Sequence, residues 1–414
     1  MLLNDKVFMA WPSRIIFGAG QRAALAPLLK KQGYRNALIV TDTFFTSAAS
    51  PIIRNLIEAL DAVEIRHFVF DGGHPDPTVL LCENAYKLVR EKAADIAFDH
   101  IIAVGGGSNI DLAKVLSVTL KYGGHPEDYI GEGRLPGKPM TLVAMPTTSG
   151  AGSEVTPGAI LVAQASSTKV ALMGNDLRPS IVVVDPELTL SCPPKVTADA
   201  GIDALTHAIE SYLTCDSTDF DRGGDPDPGY SGRNHITQLM AGESIRLCFE
   251  HLPTAYGNGA DLEARTGMAY ASLLAAFSYA SAGLNAVHAL AYALAGLTHA
   301  SHGSTNAVFL PYVMDSLRTV RRADMAKIGH MAGAGTEMRE EQAARHAIVH
   351  TRELVESVGI PITLKGFGVT EHDLDTLVSH GLGVSRLTKA FPIQPAESTY
   401  RAVVRSAFDG VISS

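Results

Sequence analysis

The sequence has little cysteine, no basic run and no long apolar stretch, and each of these absences excludes a class of protein. The four cysteines form no C-x-x-C pair, so we expect neither a disulfide framework nor a structural zinc held by cysteines. No segment reaches the roughly 18 uninterrupted apolar residues of a membrane span. A formal charge of −9 without an arginine-rich face argues against nucleic-acid binding. The first residues also lack the basic start and apolar core of a secretion signal, so we expect a cytoplasmic protein.

The two halves of the chain differ in their apolar patterns. With 414 residues, the chain is long enough for about two to three domains. In the first half, short apolar runs alternate with segments of helical spacing, which predicts parallel βαβ units and an α/β domain. The strands are expected at 35–41, 63–70, 101–104, 140–145 and 181–184, and the helices at 52–60, 79–94 and 110–120.

From Thr197 onward, helical patterns rich in alanine and leucine dominate, which predicts an all-helical second domain. Its helices are expected at 197–213, 236–252, 261–282, 288–297, 323–331 and 340–358. A proline-bearing segment at 188–194 marks the expected boundary, between an α/β domain at 1–190 and an all-α domain at 191–414. The polar segment 216–234 is predicted to be a long loop, and loops of that length are functional or mobile.

A glycine loop follows the strand expected at 101–104 and opens the next helix. Its residues are Gly105, Gly106, Gly107 and Ser108. Glycines at such a point let the backbone approach a phosphate, and the helix N-terminus supplies N–H donors. The loop is not G-x-G-x-x-G, so the standard dinucleotide fingerprint is absent, and a plain tight turn is an equal alternative. Asp111 and Lys114, one turn on, have the spacing of a solvated ion pair.

A second loop of glycines and hydroxyls, at 146–154, also follows a predicted strand. Thr147, Thr148 and Ser153 supply hydroxyls that suit pyrophosphate and ribose contacts, although a connecting loop would have the same composition. Open α/β sheets bind ligands at this edge. Asp42 ends the strand at 35–41, where an acid either holds a ribose diol and repels a 2′-phosphate or caps the next helix.

Four residues of the second half could fill most of the coordination shell of one divalent metal. Asp203 and His207 are four apart and project from one face of a helix. His288 and His302 frame a predicted helix and the loop after it. One carboxylate and three imidazoles suit Fe(II) or Zn(II) and suit Mg or Ca poorly. Taken alone, the Asp–His pair is more often an ordinary helix-surface pair.

Several motifs together resemble the iron-containing (group III) alcohol dehydrogenase family. They are GGGSNIDLAK, PTTSGAGSEVT, DPELTL, GIDALTHAIESY and the stretch from His288 to Asn306-Ala307. The resemblance implies an α/β dinucleotide-binding domain, an all-helical domain, as in dehydroquinate synthase, and a metal in the cleft between them. It implies that Asp203, His207, His288 and His302 are the metal ligands and that NAD is preferred to NADP. It further implies a homodimer, with the segment 13–17 as the edge strand.

The cofactor-binding positions follow from the resemblance and the loops taken together. They are Asp42, Gly105, Gly106, Gly107, Ser108, Asp111, Thr147, Thr148, Ser153, Lys169 and Leu188.

The chain departs from the family pattern one turn beyond His288. Most members carry a second histidine there, in HxxxH, and this chain has Tyr292, a poorer general base at neutral pH because its ordinary pKa is near 10. We expect Tyr292 to orient substrate or a relay water beside His288, with His299 as a less favoured relay. The tyrosine and the segment 230–234 are similar to the hydroxyacid–oxoacid transhydrogenase branch, but the loop at 299–302 lacks the insertion of that branch.

The resemblance implies reversible hydride transfer between nicotinamide and a small primary alcohol or an ω-hydroxy acid such as 4-hydroxybutyrate. A substrate carboxylate would need a cation, for which Arg233, in the long loop, is the first candidate, before Arg222 and Arg265. The alternatives are a transhydrogenase with retained NAD, a lyase like dehydroquinate synthase and a non-catalytic metal- or nucleotide-binding protein. The lyase predicts phosphate-binding lysines and arginines in the helical half, which are not evident.

Overall fold

The computed structural model describes residues 5–163 and 169–413 and divides into two compact units. One unit is Ala10–Cys192, and the other joins the segment ending at Met9 to the chain that begins at Pro193. Of the residues predicted to belong to the α/β domain, the described residues 5–9 therefore lie with the helical unit. The Asp5 carboxylate accepts a hydrogen bond from the His235 N–H (3.0 Å), and other hydrogen bonds also hold this segment to the helical unit.

The α/β unit is built around a parallel sheet of six strands. The described strands of the whole unit, which include those of a second sheet, are β1 (Arg14–Phe17), β2 (Asn36–Asp42), β3 (Arg66–Gly73), β4 (His100–Gly105), β5 (Gly131–Glu132), β6 (Thr141–Pro146), β7 (Gly158–Val162), β8 (Lys169–Met173) and β9 (Ile181–Val184). The large sheet has the order β1-β9-β6-β4-β2-β3, and all its pairs are parallel. The chain runs outward from β2 to β3 and then crosses to β4 on the other side. The strand order therefore reverses between β2 and β4.

Alternate residues of the central strands face opposite helical layers, because side chains of a strand point in turn to either side. The helices of this unit are α1 (Leu25–Lys31), α2 (Thr43–Thr46), α3 (Ile52–Ala62), α4 (Val79–Lys92) and α5 (Gly107–Tyr122). Leu38 and Val40 pack in the core formed with α4 and α5. Ala37 and Ile39 pack in the core formed with α1 and α3. Both faces are covered, as expected for a parallel sheet whose strands are apolar throughout.

A second, small sheet of order β5-β8-β7 is a feature that the sequence patterns did not indicate. β7 and β8 form an antiparallel pair, and β5 adds two residues in parallel to β8. The strands are short, so their alternation gives little signal. β7 and β8 follow the loop at 146–154 in the chain, and β7 packs on α5.

The second unit is helical throughout its described regular structure, apart from one isolated β-bridge. Its helices are α6 (Pro194–Leu213), α7 (His235–Gly257), α8 (Leu262–Ala282), α9 (Ala286–Thr298), α10 (His302–Leu317), α11 (Arg322–Met331), α12 (Glu340–Ser357), α13 (Leu374–Gly383), α14 (Ser385–Thr388) and α15 (Glu397–Asp409). The fold is thus the expected α/β and all-α architecture. Within the described residues no single helix could cross a membrane; by length and composition alone the bent pair α8 and α9 passes that test.

The predicted loop at 216–234 is tied at its ends. Asp216 and Arg233 form an isolated β-bridge and an ion pair with 2.8 Å between Oδ1 and Nε. The Asn234 carboxamide then caps α7, where it accepts hydrogen bonds from the N–H groups of Ile236 (3.0 Å) and Thr237 (3.1 Å).

Candidate metal centre and cofactor edge

The four predicted ligands come together in the helical unit. Asp203 and His207 lie on α6, His288 on α9 and His302 at the start of α10. Asp203 Oδ1 lies 3.7 Å from His207 Nε2, 3.7 Å from His288 Nε2 and 3.8 Å from His302 Nε2. All three histidines therefore turn the same ring nitrogen to one carboxylate oxygen. Asp203 and His207 are 3% exposed, so the alternative of a helix-surface pair is wrong.

The donor set fits a divalent metal. Ligand atoms of Asp203, His207 and His288 all lie within 4.8 Å of one another. Bonds of about 2.0–2.1 Å to a tetrahedral ion put ligand atoms roughly 3.4 Å apart, close to the spacing seen around Asp203. Burial alone would raise the pKa of Asp203, but the three imidazoles and a hydrogen bond from Asn306 outweigh it and hold that pKa below its ordinary value. The carboxylate is thus kept in the ionised form that a metal requires.

Asn306, which was not among the predicted site residues, contacts the centre directly. Its Nδ2 donates to Asp203 Oδ1 (2.8 Å) and lies 3.2 Å from His288 Nε2 and 3.3 Å from His302 Nε2. One amide nitrogen therefore lies close to three of the four predicted ligand atoms. Asn306 Oδ1 is buried and has no hydrogen-bond partner among the described residues. The available signal was its spacing, since Asn306 follows His302 by one helical turn.

Aromatic rings enclose the centre. The Tyr279 ring stacks on His207 at 4.2 Å between centroids, and His207 stacks on His288 at 4.8 Å. Tyr292, the predicted catalytic tyrosine, lies 6.3 Å from the His288 ring and 5.7 Å from the His302 ring. Tyr292 is thus beside the centre, as expected from its position one turn after His288. His299 is exposed at the end of α9 with φ 56°.

In the α/β unit, the predicted cofactor residues gather where the strand order reverses. Open α/β sheets bind ligands at this point, beyond the carboxyl ends of the strands. Asp42 ends β2, and its Oδ2 accepts a hydrogen bond from Asn109 Nδ2 (2.8 Å) at the start of α5. Asp42 Oδ1 also accepts from the Phe44 N–H (3.0 Å), so Asp42 caps the short helix α2. Each carboxylate oxygen has two lone pairs, so this cap and a contact to a ribose hydroxyl do not exclude each other. Asn109, missed in the sequence analysis, ties the two strand ends together.

The two glycine loops contact each other at this edge. The Thr147 N–H donates to the Gly105 carbonyl (3.0 Å), as β6 lies beside β4. A Cβ on Gly107 would lie 2.7 Å from Ala151 Cβ, so only glycine permits this approach. Gly105 has φ +145°, and a Cβ there would also collide with Asn109. With Gly106 as N-cap, α5 begins without a side-chain cap, and the N–H groups at such a helix start suit an anion.

The remaining predicted cofactor residues differ in their surroundings. Ser108 Oγ accepts a hydrogen bond from the Asp76 N–H (3.2 Å), and Lys169 Nζ forms an ion pair with Asp76 Oδ1 (2.9 Å). Leu188 is buried in the core with α1 and α3, and its N–H donates to the Asp185 carbonyl (2.9 Å). Thr147 and Ser153 are buried in the second loop, and Thr148 beside them is half-buried.

The prediction that Asp111 and Lys114 form a solvated pair is wrong. Lys114 is fully buried, and its Nζ donates to the carbonyls of Thr156 (3.1 Å) and Gly158 (2.5 Å). Asp111 Oδ2 accepts from the Ile160 N–H (2.9 Å). Burial raises the pKa of Asp111 and lowers that of Lys114 to about 8. These side chains attach the small sheet to α5. The sequence misled because α5 is buried around its whole circumference from Asn109 to Thr119 and has no solvent face there.

Three arginines were considered as the cation for a substrate carboxylate, and Arg233 was the first choice. The structure contradicts that choice, because Arg233 is buried and already paired with two carboxylates. Arg233 is 5% exposed and pairs with Asp216 (2.8 Å) and Asp324 (2.7 Å). Arg265 is buried and donates to Thr197 Oγ1 (2.8 Å). Arg222 donates to the Lys6 carbonyl.

Comparison with known proteins gives matches along nearly the whole chain. A family model described as iron-containing alcohol dehydrogenase matches residues 12–186, and one for the C-terminal part of that family matches residues 230–408. Long-chain-alcohol dehydrogenase 1 of Geobacillus thermodenitrificans is 35% identical over 97% of this chain and 98% of its own. The NAD-dependent methanol dehydrogenase of Bacillus methanolicus is 30% identical over 89% and 91%. A solved 1,3-propanediol oxidoreductase superposes with a TM-score of 0.88 at 29% identity, over 97% of this chain and 100% of that one.

Proposed function

Because the chain belongs to the iron-containing alcohol dehydrogenase family, and is thus an oxidoreductase acting on CH–OH groups, we propose a metal-dependent, NAD(H)-linked alcohol dehydrogenase and aldehyde reductase. The observation that carries this proposal is the convergence of three imidazole nitrogens on one oxygen of Asp203. The reaction is reversible hydride transfer between the carbinol carbon and the nicotinamide.

The metal would be held by Asp203, His207, His288 and His302, and the donor set accepts either Fe(II) or Zn(II). When bound, such an ion supplies a Lewis acid that makes an alcohol easier to deprotonate. Asn306 holds the Asp203 carboxylate in place through a hydrogen bond, and the negative charge of Asp203 attracts the metal.

The dinucleotide would bind at the edge where β2, β4 and β6 end. The N–H groups at the start of α5 suit the pyrophosphate, and the hydroxyls of Thr147, Thr148 and Ser153 suit further contacts. The Asp42 carboxylate favours NAD over NADP, because it would repel a 2′-phosphate. NAD also appears in the name of the methanol dehydrogenase among the relatives.

Tyr292 would act on the substrate side of the metal. A neutral phenol both donates and accepts a hydrogen bond, so we assign it to orienting the alcohol or a water that carries its proton. Its ring position beside His288 and His302 supports this role.

The substrate that we favour is a small primary alcohol. The engagement of Arg233 with two carboxylates removes the main argument for a hydroxy acid. The names of the relatives range from methanol to long-chain alcohols, so the family alone does not set chain length. We further propose a cytoplasmic homodimer that pairs through β1, which has β9 as its one partner among the described strands.

A panel of alcohols tests this function. Protein purified without oxygen would be analysed for iron and zinc and then given ethanol, 1-butanol, 1,3-propanediol or 4-hydroxybutyrate, with NAD or NADP. We expect steady NADH formation with the neutral alcohols, weaker turnover of the acid and a preference for NAD. Aldehyde conversion that depends on a second alcohol, without net NADH, would instead identify a transhydrogenase. No metal and no turnover with any alcohol would refute the proposal.

A further inference from the structure

A buried carboxylate behind the metal ligands has no role in the function proposed above. Glu210 lies on α6, one turn after His207, and is 2% exposed. One of its oxygens, Oε2, contacts His288 Nδ1. The other, Oε1, accepts hydrogen bonds from the N–H groups of Asn285 (3.1 Å) and Val287 (2.8 Å) at the start of α9. Glu210 therefore joins the helix that carries two ligands to the helix that carries a third.

The contacts of Glu210 indicate which nitrogen of His288 carries the proton. An ionised carboxylate only accepts hydrogen bonds, so the Nδ1 that faces it must be the donor. Neutral imidazole has a single N–H, and Nε2 therefore keeps its lone pair. That nitrogen faces Asp203 Oδ1 at 3.7 Å and the Asn306 amide at 3.2 Å. The tautomer set by Glu210 is the one that can bind a metal through Nε2.

Glu210 also determines where α9 begins. Its backbone carbonyl accepts from Asn285 Nδ2 (3.2 Å), and the Asn285 Oδ1 caps the helix at the Ala286 N–H (2.7 Å). A carboxylate at a helix N-terminus is favoured by the helix dipole as well. The start of α9, with His288 as its third residue, is thus held by the side chain and the backbone carbonyl of Glu210 together with Asn285.

We propose that Glu210 is a positioning residue that sets the tautomer of His288 and anchors α9, so that His288 presents a lone pair to the metal. This inference rests on the metal site of the proposed function. Glutamine has the shape of glutamate but cannot replace it, because three donors converge on the carboxylate and an amide offers one oxygen. In Glu210→Gln, the NH₂ group can face His288 Nδ1, where it favours the tautomer protonated on Nε2. If it faces the two backbone N–H groups instead, it cannot accept their hydrogen bonds.

The test measures zinc affinity and the histidine tautomer, neither of which requires turnover. Zinc affinity is measured by competition with a chromogenic chelator, and the tautomer by nitrogen-15 NMR of histidine-labelled, metal-free protein, with His288 assigned from His288→Ala. We expect Glu210→Gln to bind zinc about 10–100-fold more weakly and to lose the Nδ1-protonated form of His288. Asp324→Asn is the control, since it removes a largely buried carboxylate that pairs with Arg233 instead.

Native zinc affinity together with an unchanged His288 tautomer in Glu210→Gln would overturn the inference. If that variant does not fold, Glu210→Asp is measured, because aspartate retains both acceptor oxygens but ends one methylene short of Nδ1. A smaller loss of affinity and a mixed tautomer support the proposal there, and native behaviour overturns it. If the native protein binds no zinc, the proposed function fails. The tautomer of His288 in the native protein then still tests the role of Glu210: protonation on Nδ1 supports it, and protonation on Nε2 overturns it.

Discussion

The metal centre and the cofactor edge are built from different parts of the polypeptide. The centre consists of side chains from three helices, each held by a second side chain or ring, as Glu210 holds His288 and Tyr279 stacks on His207. The edge consists mainly of backbone, brought together by glycines and by Asn109. A site made of side chains should fail when one donor is removed. A site made of backbone should fail when an atom is added.

Loss of a ligand should produce the largest effect. We expect His288→Ala to lose its metal and at least about 10³-fold in kcat/KM, because a Lewis acid contributes several kcal/mol to such a reaction. Metal analysis and steady-state rates measure this, with His380→Ala as control, because His380 is exposed on α13. A His288→Ala protein that retains its full metal content would contradict the assignment of this ligand.

The buried Glu154, in the second loop of the cofactor edge, should make the stability of the protein depend on pH. Burial raises the pKa of Glu154 to about 7 from an ordinary 4.5. The folded protein therefore keeps a proton in this interval that the unfolded chain releases. The resulting stability is present below pH 4.5 and is lost as the pH rises toward 7. Glutamine stays neutral, so the stability of Glu154→Gln relative to the native protein should increase by up to about 3 kcal/mol over that range.

Urea unfolding at several pH values measures this difference. Trp11, the single tryptophan of the chain, lies in the same unit as Glu154 and reports its unfolding by fluorescence. Glu132→Gln, at an exposed position of that unit, is the control. If Glu154→Gln and the native protein show the same slope between pH 4.5 and 7, Glu154 does not titrate as inferred.

An added methyl group tests the cofactor edge. In Gly107→Ala, the new Cβ would lie 2.7 Å from Ala151 Cβ, so the two loops must separate. We expect NADH binding to weaken about 10–100-fold, since displacements near 1 Å have effects of this size. Fluorescence titration with NADH measures it, while the metal content should stay native. Gly257→Ala, where a Cβ meets no atom within 4 Å, is the control. Unchanged NADH affinity would mean that the loop contact does not form the binding surface.

The difference between the two sites also explains what the sequence could predict. The ligands and Tyr292 follow from helical spacing and family motifs, because side-chain chemistry is written in residue type. The long strands follow from their apolar runs. Asn109 and Glu210 could not be recognised, because their roles depend on which helix or strand end lies opposite. The burial of Lys114 was missed for the same reason, since its partners are carbonyls of the small sheet.

The smallest effect is expected at Tyr292, the residue that replaces the usual histidine. Tyr292→Phe keeps the ring beside His288 and His302 and removes one hydroxyl. One hydrogen bond contributes about 0.5–1.5 kcal/mol, so we expect kcat to fall about 2–12-fold with little change in KM. Tyr270→Phe, an exposed tyrosine on α8, is the control. Full kcat with an unchanged pH profile in Tyr292→Phe would end the assignment of a catalytic role.

Tyr292→His completes this test, because it restores the residue that most of the family carries. The ordinary pKa of a histidine is about 6.5, whereas that of a tyrosine is about 10. If position 292 handles the proton of the alcohol, kcat of Tyr292→His should gain a dependence on pH near 6.5 that the native enzyme lacks. A position that only packs against the metal ligands would leave the pH profile as it is, whichever side chain it carries.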